Sequence, residues 1–580
     1  MAKMDDFAAP KSPHSTTSSR GRRDSRGQLQ DDNVVVNEET PLLKASHSNM
    51  AVPSYQTPDL SLVAETDAPQ QPVSWMSMPK KWQLGMVVFA RLAEPLAERS
   101  LTSYLFYQLR WLSPTLPDSA IARQAGLLTA SFAAAQGVTG MLWGHVADSP
   151  LFGRKRVLLV GLLGTCVSAI GMGLSTSYAS VVFFRVLAGA LNGNVGVLRT
   201  MISEIVEDKR YRSRAFLLLP MCFNVGVIIG PLLGGFLADP IASLPSIFGP
   251  GSFFGGKDGV EWMERFPYAL TNFVCSSILM IAALGVVLGL DETHPLRRHR
   301  RDRGRDLGRF LLRKVFRMET PPSDYHLIGN GNEPGQLVAE AGDVEDQSSS
   351  SKPVEEGKDR APLRAICTRN VILTLAQNFS SALHVSAFNS ILFVMLPAPQ
   401  SDNTNAQLPF RFTGGLGLSS QKVGFANTVI GAVGLPLQIL LFPWISSRLG
   451  VLQSYRTFLP FSALAYCSLP YLALLSNESP FLWPCLSAIL SAQVMSRTFV
   501  GPATIMLVND SAPHPALLAT VHGVASSTSA AARMLGPTIG GTVLGWGLSN
   551  NFVGAPFWGI ALVSLINWSL LYVVREGNAI

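Results

Sequence analysis

Charge is scarce in this 580-residue sequence. Asp, Glu, Lys and Arg make up 15% of it, where an ordinary soluble domain carries about a quarter, and its mean hydropathy is +0.26. A string of soluble domains is excluded on that ground. Cysteine is scarce too: Cys166, Cys222, Cys275, Cys367, Cys467 and Cys485 are scattered, mostly inside apolar stretches, with no pair at metal-ligand or redox spacing. They read as packing residues, so neither a disulfide framework nor a metal site is expected. No GxxxxGK[ST] phosphate loop, HExxH, GxSxG or paired Asp motif lies in the apolar segments, which argues against nucleotide-driven work and against an intramembrane enzyme. No cofactor is expected. The first thirty residues lack the apolar core of a cleavable signal peptide. A net charge of +7 would suit nucleic acid, but the basic residues gather in loops beside apolar stretches, so no nucleic-acid partner is expected.

Long apolar runs are abundant. A bilayer span needs about 20 apolar residues, and twelve candidates occur near 86–109, 125–147, 157–177, 181–203, 214–238, 267–290, 370–397, 422–445, 456–475, 480–508, 516–547 and 555–574. Backbone amides cannot stay unsatisfied in lipid, and runs of this length are too long for barrel strands, so each is expected to be a helix. The fold class is therefore an all-α integral membrane protein of twelve transmembrane helices.

Lys and Arg near the spans set the orientation. Arg154, Lys155 and Arg156 follow the second span, Lys209, Arg210, Arg212 and Arg214 follow the fourth, and 297–317 holds ten basic residues after the sixth. All fall on one side, which with twelve spans also carries both termini and is expected to be cytosolic. Residues 1–80 are rich in Ser, Pro and charge and read as a disordered tail. Residues 81–293 form a first six-helix bundle, 294–368 a linker that is basic and then acidic, and 369–580 a second bundle. In the tail, Glu38 stands four residues before Leu42 and Leu43, resembling the acidic dileucine signal read by sorting adaptors on the way to vacuoles or lysosomes. Plain tail sequence is the competing reading. Asn477-Glu478-Ser479 is a glycosylation sequon, but Pro480 follows it in a short loop.

The two bundles repeat each other. Arg185-Val-Leu-Ala-Gly189 in the fourth span matches Arg497-Thr-Phe-Val-Gly501 in the tenth, and Gly230-Pro231-Leu-Leu-Gly234-Gly235 in the fifth matches Gly536-Pro537-Thr-Ile-Gly540-Gly541 in the eleventh. Gly226, Gly230 and Gly234, four apart, share one helix face, and Gly235 widens it. Another backbone can approach closely there, while Pro231 and Pro537 bend their helices.

Gly144-His-Val-Ala-Asp148-Ser-Pro-Leu-Phe-Gly153-Arg154-Lys155-Arg156 resembles motif A of the major facilitator superfamily. The Arg185 segment resembles its motif B, and Gly226 to Gly235 its motif C, the antiporter motif. In detail the chain is similar to the twelve-span fungal drug:proton antiporter branch, which includes relatives of plant zinc-induced facilitators. The resemblance covers about residues 80–575. It implies a fold of two pseudo-symmetric six-helix bundles, a role for the motif B arginines in proton coupling, and an Asp148 that contacts neighbouring helix ends to lock the outward-facing state. Two departures matter. Asp148 and Gly153 are five apart where the family has three, and the Cys-Pro-Gly-Cys element of the plant facilitators is missing.

Ionisable groups inside spans are costly and usually face a partner or an aqueous cavity. Arg91, Glu94 and Glu98 share a face of the first span around Pro95, making Glu94, and less directly Glu98, a candidate proton carrier; mutual neutralisation of Arg91 and Glu94 is the alternative. Arg185 and Arg497 would tune a carboxylate or bind an anionic group, or else snorkel, with Arg185 nearer a span end. Asn224, Gln377, Asn378, His384 and Asn389 form a polar set, in which His384 is either a relay or a packing residue. Arg533 and His522 are read the same way. The expected function is proton-coupled efflux or vacuolar sequestration of small organic molecules by a monomer in the plasma or vacuolar membrane. A nutrient symporter or uniporter, or a transport-inactive sensor, remains the alternative.

Overall fold

The computed structural model describes residues 77–574 except 207, 257–258, 299–300, 317–367, 404–405 and 514–516. The dileucine of Glu38, Leu42 and Leu43, nearly all of the tail and most of the linker lie outside the described residues. In chain order the helices are α1 Lys81–Leu112, α2 Asp118–Asp148, α3 Arg154–Gly173, α4 Tyr178–Ala190, α5 Asn194–Ile205 and α6 Lys209–Leu237. The short α7 Pro240–Ser243, α8 Pro245–Phe248 and α9 Glu261–Arg265 precede α10 Ala269–Gly289 and α11 Arg303–Phe316. Then come α12 Arg369–Met395, α13 Ser420–Pro436, a π-helical turn Leu437–Leu441, α14 Phe442–Leu449, α15 Val451–Phe458, α16 Pro460–Ser468, a 3₁₀ turn Leu469–Leu474, α17 Leu482–Asp510, α18 Leu518–Ser549 and α19 Ala555–Leu570.

These helices cover all twelve expected spans, six in each bundle. Among the described residues, eight segments are individually long and apolar enough to cross a membrane, and Ala555–Leu570 is apolar but shorter. Three spans depart from single straight helices. The fourth breaks between α4 and α5, where Asn192-Gly193-Asn194 is a turn signal inside an apolar run. Trp143 holds the break by donating its indole N–H to the Ala190 carbonyl at 2.6 Å. The eighth span changes to a π turn directly after Pro436, which cannot donate a helical hydrogen bond. The ninth is divided before Pro460 and again before Pro470, for the same reason.

The glycine faces decide which helices meet. A Cβ on Gly226 would come within 2.7 Å of Pro95 Cβ, and one on Gly230 within 2.6 Å of the Leu96 carbonyl oxygen, so α6 lies directly against α1. In the second bundle, a Cβ on Gly536 would sit 2.8 Å from the Leu383 carbonyl and one on Gly540 3.0 Å from Ile391 Cγ2, which brings α18 onto α12. Span five on span one therefore repeats as span eleven on span seven. Gly235 does not widen that face as the spacing suggests. It turns to the other bundle, where a Cβ would meet the Ser420 carbonyl at 2.6 Å.

The two bundles seal against each other on the side away from the termini. Gly541 and Gly126 bring α18 and α2 into backbone contact, a Cβ on either falling within 2.9 Å of the other's Cα. Ser420 Oγ donates to the Gly235 carbonyl at 3.2 Å and Gln421 Nε2 to the Ser243 carbonyl at 2.9 Å, joining α13 to α6 and its following loop. The Tyr107 hydroxyl donates to the Leu418 carbonyl. Toward the terminal side this closeness ends. Gly137 still approaches Ala530, but Gly140 and Gly144 have nothing within 4 Å, and α14 buries no residue. The structure is thus open toward the side that carries the basic loops.

Candidate functional site

Between the bundles lies a cavity of about 340 Å³. α1 contributes Arg91, Glu94, Glu98 and Arg99; α2 contributes Phe132 and Gln136; α4 and the break after it contribute Arg185 and Asn192. Phe223 comes from α6, Ser386 and Asn389 from α12, Arg497 from α17 and Arg533 from α18. Both halves therefore meet any occupant, as alternating access requires. A larger recess of about 770 Å³ lies on the outer side among Asp402, Asn403, Arg411 and Asn550. It is lined by the second bundle alone, so rocking of the halves would not carry its contents across.

Glu94 is 3% exposed. Arg91 Nη1 donates to its Oε2 at 3.3 Å, while Oε1 is buried without a hydrogen bond of good geometry, the side-chain amides of Asn192 and Asn194 being the carboxylate's polar neighbours. Mutual neutralisation of Arg91 and Glu94 is thus present, yet it satisfies only one carboxylate oxygen. Glu98 faces the same cavity, 4.0 Å from Arg185, and does not lie at the outer surface. Arg185 is buried, its guanidinium carbon 4.3 Å from the centroid of Phe132, so it does not snorkel. Arg497 occupies the corresponding place in the second bundle and lines the cavity as well.

The polar set splits. Asn389 reaches the cavity, but His384 is outside its lining, with Nδ1 3.1 Å from the Tyr466 hydroxyl. Asn224 donates to the Gln438 side chain, tying α6 to the π turn of the other bundle. Asn378 donates to the Ala525 carbonyl and to Ser529 Oγ, both at 2.9 Å, and Gln377 donates to the Tyr455 hydroxyl. These last two knit the second bundle internally. Arg99 escaped the sequence reading, although Arg91, Pro95 and Arg99, each four apart, mark one stripe of α1.

At the terminal end of the first bundle, the α2–α3 turn is built around another residue the sequence did not single out. Glu292 accepts the backbone N–H of Arg154 at 3.1 Å on Oε1 and that of Lys155 at 3.2 Å on Oε2, placing a carboxylate on the N-terminus of α3. Gly153 is required there: its φ is +74°, and a Cβ would stand 2.5 Å from Glu292 Oε2. Arg154 donates to Glu204 and more distantly, at 3.5 Å, to Asp148, whose side chain is 71% exposed. In this open state the helix-end contact belongs to Glu292; the lock that the resemblance assigns to Asp148 concerns the opposite state. Lys155 Nζ also donates to Asp302 at 2.5 Å, fastening the start of α11. Burial opposes the charged form of Asp302, but the hydrogen bond and charge of Lys155 and the N–H groups of Arg305 and Gly304 outweigh it. The carboxyl is held below its usual range. Its contribution to stability is present at neutral pH and is lost as pH falls through that lowered value.

Glu292→Ala is expected to lower stability by about 1–3 kcal/mol, because charge-assisted bonds to buried backbone donors are lost. Asp148→Asn should change it by less than about 0.5 kcal/mol. Thermal unfolding of the two purified variants checks this ranking, and equal losses would contradict it.

The sequence model of the Major Facilitator Superfamily matches residues 100–537, three quarters of the chain. The chain belongs to the Major Facilitator Superfamily. Along 514 residues it is 32% identical to the Major facilitator superfamily multidrug transporter mfsB of Aspergillus fumigatus, covering 84% of this chain and 82% of that one. It is 25% identical to the Protein ZINC INDUCED FACILITATOR 1 of Arabidopsis thaliana over 464 residues, 80% of this chain and 84% of the relative. Among solved structures, a D-xylose-proton symporter superposes with a TM-score of 0.58 at 12% identity, over 86% of this chain and 99% of that one; this likeness concerns the fold. As a member of the Major Facilitator Superfamily the chain is a multi-pass membrane protein and a secondary active transporter of small molecules, with the central cavity at the place where its two bundles meet.

Proposed function

We propose that this transporter is a proton-coupled exporter of small organic molecules, with Glu94 as the proton carrier. The observation that carries the reading is the half-satisfied carboxylate in the cavity wall. A carboxylate at mid-span with one buried oxygen left without a hydrogen bond of good geometry is costly when charged and is relieved by a proton. The nearest charges that face it are Arg91 and Glu98. Substrate enters from the side of the termini, which the basic loops mark as cytosolic, and leaves when the halves rock. Support for export comes from the motif C resemblance, and support for organic substrates from the multidrug transporter named among its relatives. The membrane is that of the cell or of a vacuole, the latter if Leu42 and Leu43 act as a sorting signal.

The test is flux in proteoliposomes carrying an imposed pH gradient, with a panel of drugs, toxins and metabolites. At least one compound is expected to accumulate against its gradient and to stop when a protonophore collapses the pH difference. Movement that equilibrates but never accumulates would make the chain a uniporter. Accumulation in the direction of proton flow would make it a symporter.

A further inference from the structure

The proton-carrying pair leaves most of the cavity's charge unused. Five guanidinium groups line the cavity, those of Arg91, Arg99, Arg185, Arg497 and Arg533, against the two carboxylates of Glu94 and Glu98. Glu94 answers Arg91 at 3.3 Å, and Glu98 stands 4.0 Å from Arg185. Among the described residues, Arg99, Arg497 and Arg533 have no carboxylate within 4.0 Å. Three positive charges therefore remain unmatched along the cavity wall, Arg99 and Arg497 partly buried and Arg533 exposed.

For Arg99 and Arg497, partly buried inside the span region, an unmatched charge is expensive, and proteins keep such cations where something else supplies the opposite charge. Their arrangement suits a ligand. Arg99 has its guanidinium carbon 5.1 Å from the centroid of Phe223, as Arg185 does 4.3 Å from Phe132, so an aromatic face steadies each one. The Nε atoms of Arg91, Arg99 and Arg185 are buried and have no acceptor in the protein. The planar guanidinium fork, with its outer Nη groups, matches a carboxylate or sulfonate.

We propose that the substrate is an organic anion, its acidic group held by Arg99, Arg497 and Arg533 and its apolar body lying against Phe132 and Phe223. Because Arg99 belongs to α1 and the other two to α17 and α18, the anion bridges the two bundles. Binding then draws together the parts that must close behind it. This assignment rests on the central cavity being the substrate site of the proposed exporter.

Fluorescein and rhodamine 123 share a three-ring core and carry opposite charge at mildly alkaline pH, so their comparison isolates the sign. Full-length protein in nanodiscs, followed by fluorescence anisotropy, should bind fluorescein at least about tenfold more tightly than rhodamine 123. Arg99→Gln combined with Arg533→Gln should bring the ratio of the two Kd values to about one or invert it, while Arg99→Lys with Arg533→Lys keeps fluorescein preferred. Each ratio is taken on one preparation, so a partly misfolded variant does not disturb it. Rhodamine 123 binding as well as fluorescein, no fluorescein binding, or a ratio untouched by the Gln pair would overturn the proposal. No gradient is imposed. An anion that binds selectively but is not moved by a pH difference would defeat the proton coupling and leave the charge assignment standing.

Discussion

Glu94→Gln is expected to reduce pH-gradient-driven flux to the level of empty liposomes while leaving a folded, monodisperse protein. The substituted amide keeps the shape of the carboxyl and can still accept from Arg91, so packing around a residue that is 3% exposed changes little. What it cannot do is take up and give back a proton. The bland alternative is that Glu94 serves only as the counter-ion of Arg91. A double variant, Arg91→Gln with Glu94→Gln, separates the two readings. It removes both charges and so avoids stranding a lone arginine, the usual reason for a large loss when one partner of a buried pair is deleted. If the pair is merely structural, the double variant recovers coupled flux; if Glu94 carries the proton, it stays inactive. Unchanged pH dependence in the single variant would remove Glu94 from the mechanism.

An anionic substrate adds to the consequence of that coupling. Outward movement of a monoanion in exchange for an inward proton transfers charge of the same sense in both halves of the cycle. A membrane potential of about 100 mV then contributes about 2.3 kcal/mol for each charge moved, so an interior-negative potential assists export along with the pH difference. Exchange of a monovalent cation for a proton would gain nothing from the potential.

Much of this architecture was legible in the residues because span length and Gly-Pro spacing are local signals. The runs 86–109 and 267–290 announce helices without reference to anything else in the chain, and the pairs Gly230-Pro231 and Gly536-Pro537 announce a duplication. Helix rotation was less legible. Asn378, His384 and Asn389 occupy one span, yet only Asn389 lines the cavity, and apolar runs without amphipathic contrast do not say which side faces inward. Pairings across long stretches of chain were not legible at all. Glu292 meets Arg154 from 138 positions away, and nothing near either residue points to the other. The unmatched charge of the cavity belongs to the same class, since Arg99, Arg497 and Arg533 come together only once the bundles are assembled.

Gly541→Val is expected to shift the transporter toward the state that opens on the outer side. In the present state a Cβ at this position would lie 2.8 Å from the Ala122 carbonyl oxygen and 2.8 Å from Gly126 Cα, both backbone atoms that cannot rotate away. Forcing extra carbons into such a contact costs about 1–3 kcal/mol. The contact joins α18 to α2, one from each bundle, so the cost falls on the outer-closed state and disappears when the halves separate there. At about 1.4 kcal/mol per tenfold change, the equilibrium moves by roughly ten- to a hundredfold. Gly230→Val behaves differently, because its neighbours Leu96 and Ser100 belong to the same bundle and stay close in every state. That variant should lower the unfolding temperature without biasing the two states. Electron paramagnetic resonance distances between spin labels at Leu116 and Asn550, in a background without the native cysteines, distinguish the cases. Gly541→Val should populate a longer distance than the unsubstituted protein and Gly230→Val should not; if neither lengthens it, the α2–α18 crossing is not the outer seal.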